Sequence, residues 1–81
     1  MKQFTYKRMD ELFRSFGFTV QELDGNTIVF HHPGSGALFT LPLREETALV
    51  SPMHMGGAMA TLDAWGYLPQ DEFRALARKA G

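Results

Sequence analysis

The fold is decided by residues 18–41, which read FTVQELDGNTIVFHHPGSGALFTL. Three runs in this stretch are rich in β-branched and aromatic residues and alternate apolar with polar side chains, as half-buried strands do. The runs are 18–23, 27–32 and 37–41, and the tight-turn residues Asp24-Gly25-Asn26 and Pro33-Gly34-Ser35-Gly36 separate them. The stretch therefore predicts an antiparallel meander with one face on helices and the other toward water.

An amphipathic helix precedes the meander. Thr5 is a suitable N-cap, and Gly17 supplies the left-handed residue with which a helix commonly ends. Between them, large apolar side chains recur at spacings of one and three, which places them on one helical stripe. These residues are Tyr6, Met9, Leu12, Phe13 and Phe16.

Two further helices are predicted after the meander. Pro42 to Val50, with Arg44, Glu45 and Glu46, has the composition of a loop, and Ser51-Pro52 then resembles a capped helix start. Gly56 and Gly57 each disfavour a helix by about 1 kcal/mol relative to Ala, so a start near Gly57 is the alternative. The apolar stripe of this helix contains Met55, Ala58, Met59, Leu62 and Trp65, with Gly66 as its stop. Pro69 opens a shorter helix with an apolar edge at Phe73, Leu76, Ala77 and Ala80.

These elements predict a single α+β domain over residues 1–81. Its order is α-β-β-β-α with an added short C-terminal helix, and the helices must cover the same apolar sheet face, because a bare three-stranded sheet is unstable. This sandwich is the arrangement of double-stranded-RNA-binding-like domains.

Composition narrows the class of protein. The chain has no Cys, so it has no disulfide framework and no thiolate metal site. No apolar run approaches the roughly 18 residues that a membrane span needs, and the N-terminus lacks the apolar stretch of a signal peptide. We therefore expect a cytoplasmic protein that does not interact with membranes.

Several motifs, in this order, resemble those of HicA-type toxins of toxin–antitoxin systems. That family has a helix ending in Gly, then a Gly-Ser-His stretch, then an aromatic-x-His-Pro stretch, and the similar segments here are Gly17, Gly25-Asn26-Thr27 and Phe30-His31-His32-Pro33. A later strand ends at Pro42, and Ala64-Trp65-Gly66 followed by Asp71-Glu72-Phe73 is similar to the family's Ala-Gly and Glu-Glu-Phe segments. The resemblance extends from Tyr6 to Arg78.

The resemblance implies a metal-independent ribonuclease that needs no cofactor and pairs with an antitoxin-like protein. In such toxins the His of Gly-Ser-His serves as a general base, for which an imidazole is suited because it titrates near neutral pH. Thr27 occupies that position here, and a hydroxyl cannot accept a proton at pH 7. His31 is the other candidate, although it lies about 13 Å along the same strand face. The expected catalytic signature is therefore incomplete.

RNA binding by a HicA-like domain requires basic residues. Lys7, Arg8 and Arg14 in the first helix are the candidate RNA contacts, but the chain as a whole carries a net charge of −1. Strong nucleic-acid binding needs a basic surplus that displaces counterions, so any RNA binding is expected to be weak. The alternative is that these residues form an ordinary solvated helix face.

For the other residues that could be functional, the sequence pattern favours structural roles. His32 falls on the face of Ile28 and Phe30 and is expected to be structural. His31 and His32 with His54 could suggest a metal site, but adjacent strand residues point to opposite faces, so His31 and His32 cannot easily share one ion. Met55 and Met59 are expected in the core, with Met53 filling the helix start, although a Met-rich partner surface is the alternative. Trp65 and Tyr67 are also expected in the core.

Two functional classes remain open on the sequence. The first is a HicA-like domain that is now weakly active or inactive as a ribonuclease and acts through RNA or an antitoxin-like protein. The second is a protein-interaction or homodimerisation module with no role in RNA binding, using an exposed sheet edge or the Met-bearing helix.

Overall fold

The computed structural model describes residues 1–80 and has the expected α+β architecture; Gly81, where the predicted domain ends, lies outside them. Three strands form one antiparallel sheet in the order β1-β2-β3. The elements are α1 (Tyr6–Ser15), β1 (Thr19–Leu23), β2 (Thr27–His31), β3 (Leu38–Pro42), α2 (Pro52–Ala64) and α3 (Gln70–Lys79). The predicted meander with flanking helices is confirmed. Within residues 1–80, no helix is both long and apolar enough to cross a bilayer.

The register of the sheet separates two faces. Phe30 pairs with Val20 on β1 and with Phe39 on β3, and this row faces the helices. The next row along, in which His31 pairs with Thr19 and Leu38, points to the other side because strand side chains alternate. The β1–β2 turn sets this register, since Asp24 and Gly25 both take positive φ, as a type I′ turn requires.

Phe13 on α1 is the centre of the core. Its ring lies 4.8 Å from the rings of Phe18 and Phe30 and 5.3 Å from that of Phe39, so one side chain joins α1 to the sheet. Aromatic pairs at these separations contribute about 0.5–1.5 kcal/mol each beyond the area they bury. The α1 stripe predicted from spacing thus supplies the main contact between the helical layer and the sheet.

α1 and α2 end in the same way. At the end of α1, Gly17 has φ +92° and the Phe18 N–H donates to the Phe13 carbonyl at 3.2 Å. At the end of α2, Gly66 has φ +77° and the Tyr67 N–H donates to the Leu62 carbonyl at 2.8 Å. Both are Schellman motifs, in which a left-handed residue lets the chain turn back and satisfy the last carbonyls. The reversal after α1 brings Phe18 onto Phe13.

α2 begins earlier than its glycines indicate. The Ser51 hydroxyl accepts the His54 N–H at 3.2 Å, and the helix starts at Pro52, so the alternative start near Gly57 is wrong. The cap and Pro at the first position offset the cost of the glycines. Gly57 also permits close packing on the sheet, because a Cβ there would lie 3.3 Å from the Phe39 ring.

Three residues expected in the core or on its edge are exposed. Trp65 is 50% exposed because it is the C-cap of α2, and the chain turns back after it and buries Leu68 instead. Met53 is 74% exposed, so it does not fill the helix start, because it lies in the first turn on the side away from Met55. Ala80 caps α3 at its end and is exposed as well. The core assignments of Met55 and the partly buried Met59 are confirmed.

The N-terminal segment makes a contact that no sequence pattern predicted. Phe4 is fully buried, with its ring 5.3 Å from that of Phe73 on α3. The Val50 N–H donates to the Phe4 carbonyl at 2.8 Å, and the Tyr6 N–H donates to the Ala48 carbonyl at 2.9 Å. Part of the predicted 42–50 loop therefore pairs with the start of the chain, which ties α1 to the entrance of α2.

Candidate functional site

The sheet face away from the helices, called here the open face, carries no Asp, Glu, Lys or Arg among its strand residues. The pairing register assigns its members, and Glu22 on β1 points instead to the helical side with Ile28. Leu23 and Leu38 are the large apolar residues exposed on the open face. Its members are Thr19, Gln21, Leu23, Thr27, Val29, His31, Leu38, Thr40 and Pro42.

Thr27, at the position where the resemblance implies a catalytic His, is the first residue of β2 and lies between Leu23 and Pro42. Its hydroxyl lies 3.1 Å from the Asn26 side-chain oxygen and donates a hydrogen bond to it. No ionisable side chain of the open face lies beside it in the register, because the nearest strand partners are apolar. Neither strand partner of Thr27 therefore supplies a base that could activate its hydroxyl.

His31, the second catalytic candidate, lies at the other end of β2 and is exposed on the open face. Thr19 and Leu38 are its register partners, and the Thr19 hydroxyl donates to the His31 backbone carbonyl at 3.1 Å. Within residues 1–80, no protein group forms a hydrogen bond with the His31 imidazole. The sheet does not bring His31 and Thr27 together, since they occupy opposite ends of one strand.

His32 has the structural role expected of it. Its Nδ1 accepts the backbone N–H of Gly34 at 3.0 Å and that of Ser35 at 3.2 Å, so this nitrogen is unprotonated. The proton must then lie on Nε2, which donates to the Phe16 carbonyl at 3.0 Å. One neutral imidazole thus joins the end of α1 to the β2–β3 turn.

Aromatic rings enclose this imidazole. The His32 ring stacks on Tyr67 with centroids 4.9 Å apart, and the Phe18 ring meets it edge-on at 5.2 Å. The Tyr67 hydroxyl donates to the Ser35 hydroxyl at 2.7 Å, which fixes the same turn from the α2 side. Tyr67 is therefore partly buried and has a structural role, whereas Trp65 is exposed.

The three histidines do not form a metal site. His54 lies at the start of α2 with its Nδ1 2.9 Å from the Ser51 hydroxyl, far in the chain from His31 and His32. His31 is exposed on the open face, whereas the His32 ring packs on Phe18 and Tyr67. In the part of the chain that the structure describes, no group of three or more His, Asp or Glu side chains is arranged to hold a metal ion.

The candidate RNA-binding residues of α1 do not form a continuous basic patch. Arg14 forms an ion pair with Asp10, and the Arg8 guanidinium lies over the Phe4 ring, 5.7 Å from its centroid. Lys7 lines a cavity together with Asp10 and Glu11. The three positive charges of this helix therefore have different neighbours. Carboxylates lie near two of them, Arg14 and Lys7.

That cavity belongs to a groove beside α1. One part, of about 250 Å³, lies between α1, the Ile28 and Phe30 side chains of β2, and the 44–46 segment. A second depression of about 390 Å³ extends from it toward Val20 and Glu22 on β1. Both parts share Asp10, Ile28, Arg44 and Glu46. Sequence patterns did not predict this groove, because it forms between a helix, a strand and a loop that are distant in the chain.

Tyr6 forms one wall of the groove. Its hydroxyl donates to the Pro42 carbonyl at 2.8 Å, which anchors α1 to the end of β3. Burial raises the pKa of the Tyr6 hydroxyl above its ordinary value of 10.0, and the nearby Arg44 guanidinium opposes this by lowering it. Tyr6 therefore stays neutral as a hydrogen-bond donor throughout the physiological pH range.

Comparisons of the chain with family models, with curated proteins and with solved structures find no significant match.

Proposed function

We propose that this protein is a HicA-like domain that has kept the scaffold, has lost the ribonuclease chemistry and acts by binding a protein partner. The observation that carries this proposal is the environment of Thr27. Its hydroxyl forms a hydrogen bond with Asn26, and its register partners, Leu23 and Pro42, can neither accept nor donate a catalytic proton. Loss of a general base typically removes a factor of about 10² to 10⁴ in rate.

Local charge favours a protein partner over RNA. Phosphate contacts come mainly from Lys and Arg, and their number sets the affinity and its salt dependence. Among the three basic candidates of α1, Arg14 is paired with Asp10, and Lys7 shares its cavity with Asp10 and Glu11. A polyanion that approached this helix would meet carboxylates as well as cations.

RNA cleavage and binding by the purified chain test this proposal. The wild-type chain and Thr27→Ala are expected to leave a structured RNA equally intact, and RNA binding at 50 mM salt is expected to be weaker than about 10 µM, because few phosphates can be neutralised. Cleavage by the wild type that disappears in Thr27→Ala would show that catalysis is retained. Tight binding that weakens in Lys7→Ala, Arg8→Ala and Arg14→Ala would show that RNA is the ligand.

The open face supports a second candidate function, homodimerisation without any RNA role. It presents Leu23 and Leu38, each more than half exposed, and none of its strand residues is Asp, Glu, Lys or Arg, so two copies could stack without desolvating an ion of these types. Five-residue strands at 4.8 Å spacing make a face of only about 16 by 14 Å, which is below the standard interface size and predicts weak association.

Sedimentation at increasing concentration tests this second function. If the face dimerises, Leu38→Lys should abolish the concentration dependence. Leu49→Lys is the matched control, because Leu49 is exposed to nearly the same fraction, 59% against 57%, but lies outside the strands. A chain that remains monomeric at millimolar concentration, or equal effects of both variants, would exclude dimerisation through the open face.

A further inference from the structure

The groove beside α1 combines an apolar floor with a charged rim. Phe30 is almost fully buried under α1, whereas Val20 and Ile28, its neighbours on the same sheet face, are only partly buried. α1 thus covers one end of this face and leaves the Ile28 corner accessible from the groove. A cavity of about 250 Å³ over such a floor has room for one or two aliphatic side chains of a ligand.

The rim of the groove is predominantly acidic. It holds five of the nine carboxylates of the chain but only three of its eight Lys and Arg residues. The groove therefore carries a formal charge of −2, while the rest of the chain carries +1. Because the net charge of the whole chain is −1, this local excess is not visible in its composition. The carboxylates are Asp10, Glu11, Glu22, Glu45 and Glu46.

Most of these carboxylates have no ionic partner inside the protein. Among residues 1–80, the only salt bridge joins Arg14 to Asp10, which leaves four carboxylates and the cations of Lys7 and Arg44 unpaired in the groove. The rim is also anchored, because the Lys7 backbone N–H donates to the Glu46 carbonyl at 3.0 Å. An anchored rim reduces the conformational entropy that a bound ligand would have to remove.

We propose that this groove binds a basic, partly apolar segment of a partner protein, in which Lys or Arg side chains flank an aliphatic residue. The aliphatic side chain contacts Ile28 and Val20 on the floor, and the flanking cations approach the unpaired carboxylates of Glu11 and Glu46 on the rim. Charge complementarity selects this partner chemistry, since a phosphate backbone or an acidic peptide would be repelled by the same carboxylates. The inference rests on the protein-binding part of the proposed function.

Peptide titration followed by amide NMR shifts tests this proposal on the full chain. The probe is the blocked peptide Arg-Leu-Arg-Leu-Arg, with Arg-Ser-Arg-Ser-Arg and Glu-Leu-Glu-Leu-Glu as comparison peptides. The Leu-containing cationic peptide is expected to bind best and to shift the amides of Val20 and Ile28. The acidic peptide should not bind.

Charge-matched variants identify the site. Glu11→Gln/Glu46→Gln should weaken binding of the cationic Leu peptide about tenfold, because each removes a rim charge that faces a ligand cation. Asp71→Asn/Glu72→Gln changes the net charge by the same amount in the first turn of α3, outside the groove, and should weaken it less than about twofold.

Three outcomes would overturn the groove proposal: no binding of the cationic Leu peptide, equal weakening by the two double variants, or equal binding of the Ser peptide. The second would show general attraction to an acidic protein, and the third would show that the apolar floor makes no contribution. None of these outcomes alters the RNA measurements on wild type and Thr27→Ala. Failure of the groove proposal can therefore be distinguished from failure of the proposed function.

Discussion

The start of β2 at Thr27 and the residue that directly follows its end, His32, differ in how firmly they are held. At the His32 end, one imidazole makes three hydrogen bonds and lies between the rings of Phe18 and Tyr67. At the Thr27 end, the hydroxyl forms one hydrogen bond, to the neighbouring Asn26, and the groove opens beside Ile28. The His32 end therefore stabilises the fold, while the Thr27 end leaves the groove surface beside Ile28 exposed to solvent. In the sequence the two ends are only five residues apart.

Removing the imidazole is expected to have the largest effect on stability. His32→Ala leaves the Phe16 carbonyl and the Gly34 and Ser35 N–H groups without their partner, and it opens space between two rings. We expect the free energy of unfolding to fall by about 3 kcal/mol, from the loss of three hydrogen bonds and of packing. Urea unfolding followed by circular dichroism measures this change. The neighbouring His31→Ala is the control, and a loss as large in that variant would contradict the difference between the two residues.

A substitution at Gly17 tests whether the close approach between the end of α1 and His32 contributes to stability. Gly17→Ala combines a strained positive φ of +92° with a Cβ only 3.1 Å from Nε2 of His32. We expect a loss of about 2 kcal/mol, because strain and contact add. Gly25→Ala has a similar φ of +70° but open space around the Cβ, so it should lose only about 1 kcal/mol. Equal losses of stability in the two variants, measured by thermal unfolding, would show that the His32 imidazole can move away from the added Cβ without an energetic cost.

Tyr6 connects the groove wall to the end of β3. Tyr6→Phe removes the hydrogen bond to the Pro42 carbonyl and should lower the free energy of unfolding by about 1 kcal/mol at neutral pH. Because burial raises the pKa of Tyr6 in the folded state, the unfolded chain ionises first as pH rises above 10. The wild type should therefore lose stability with increasing pH above this value, and Tyr6→Phe should lose less. Unfolding midpoints between pH 8 and 11 measure both slopes, and parallel slopes would contradict the role of burial.

The smallest effect is expected at the Thr27 end. Thr27→Ala should change the free energy of unfolding by no more than about 0.5 kcal/mol, because its hydroxyl bonds only an exposed neighbour. A larger loss in the same urea assay would mean that this end is also structurally constrained.

The sequence predicted most of the fold but only part of the site. The meander, the caps at Thr5 and Ser51 and the terminating glycines followed from local patterns, and the structural role of His32 followed from strand alternation. Trp65 was misassigned because periodicity continued the α2 stripe through its C-cap, where the helix no longer determines side-chain direction. The Lys7, Arg8 and Arg14 cluster looked basic because spacing along α1 does not show which residues surround each charge.

The sequence by itself determined which segments form helices, strands and turns, because side-chain periodicity and glycine conformation depend on residues close together in the chain. Tertiary structure alone decided that Phe4 is buried against Phe73 and that His32 joins the end of α1 to the β2–β3 turn. It also decided that carboxylates from α1, β1 and the 44–46 segment surround one groove. These features arise from contacts between distant residues. Their energies depend on distance and burial, which no local pattern specifies.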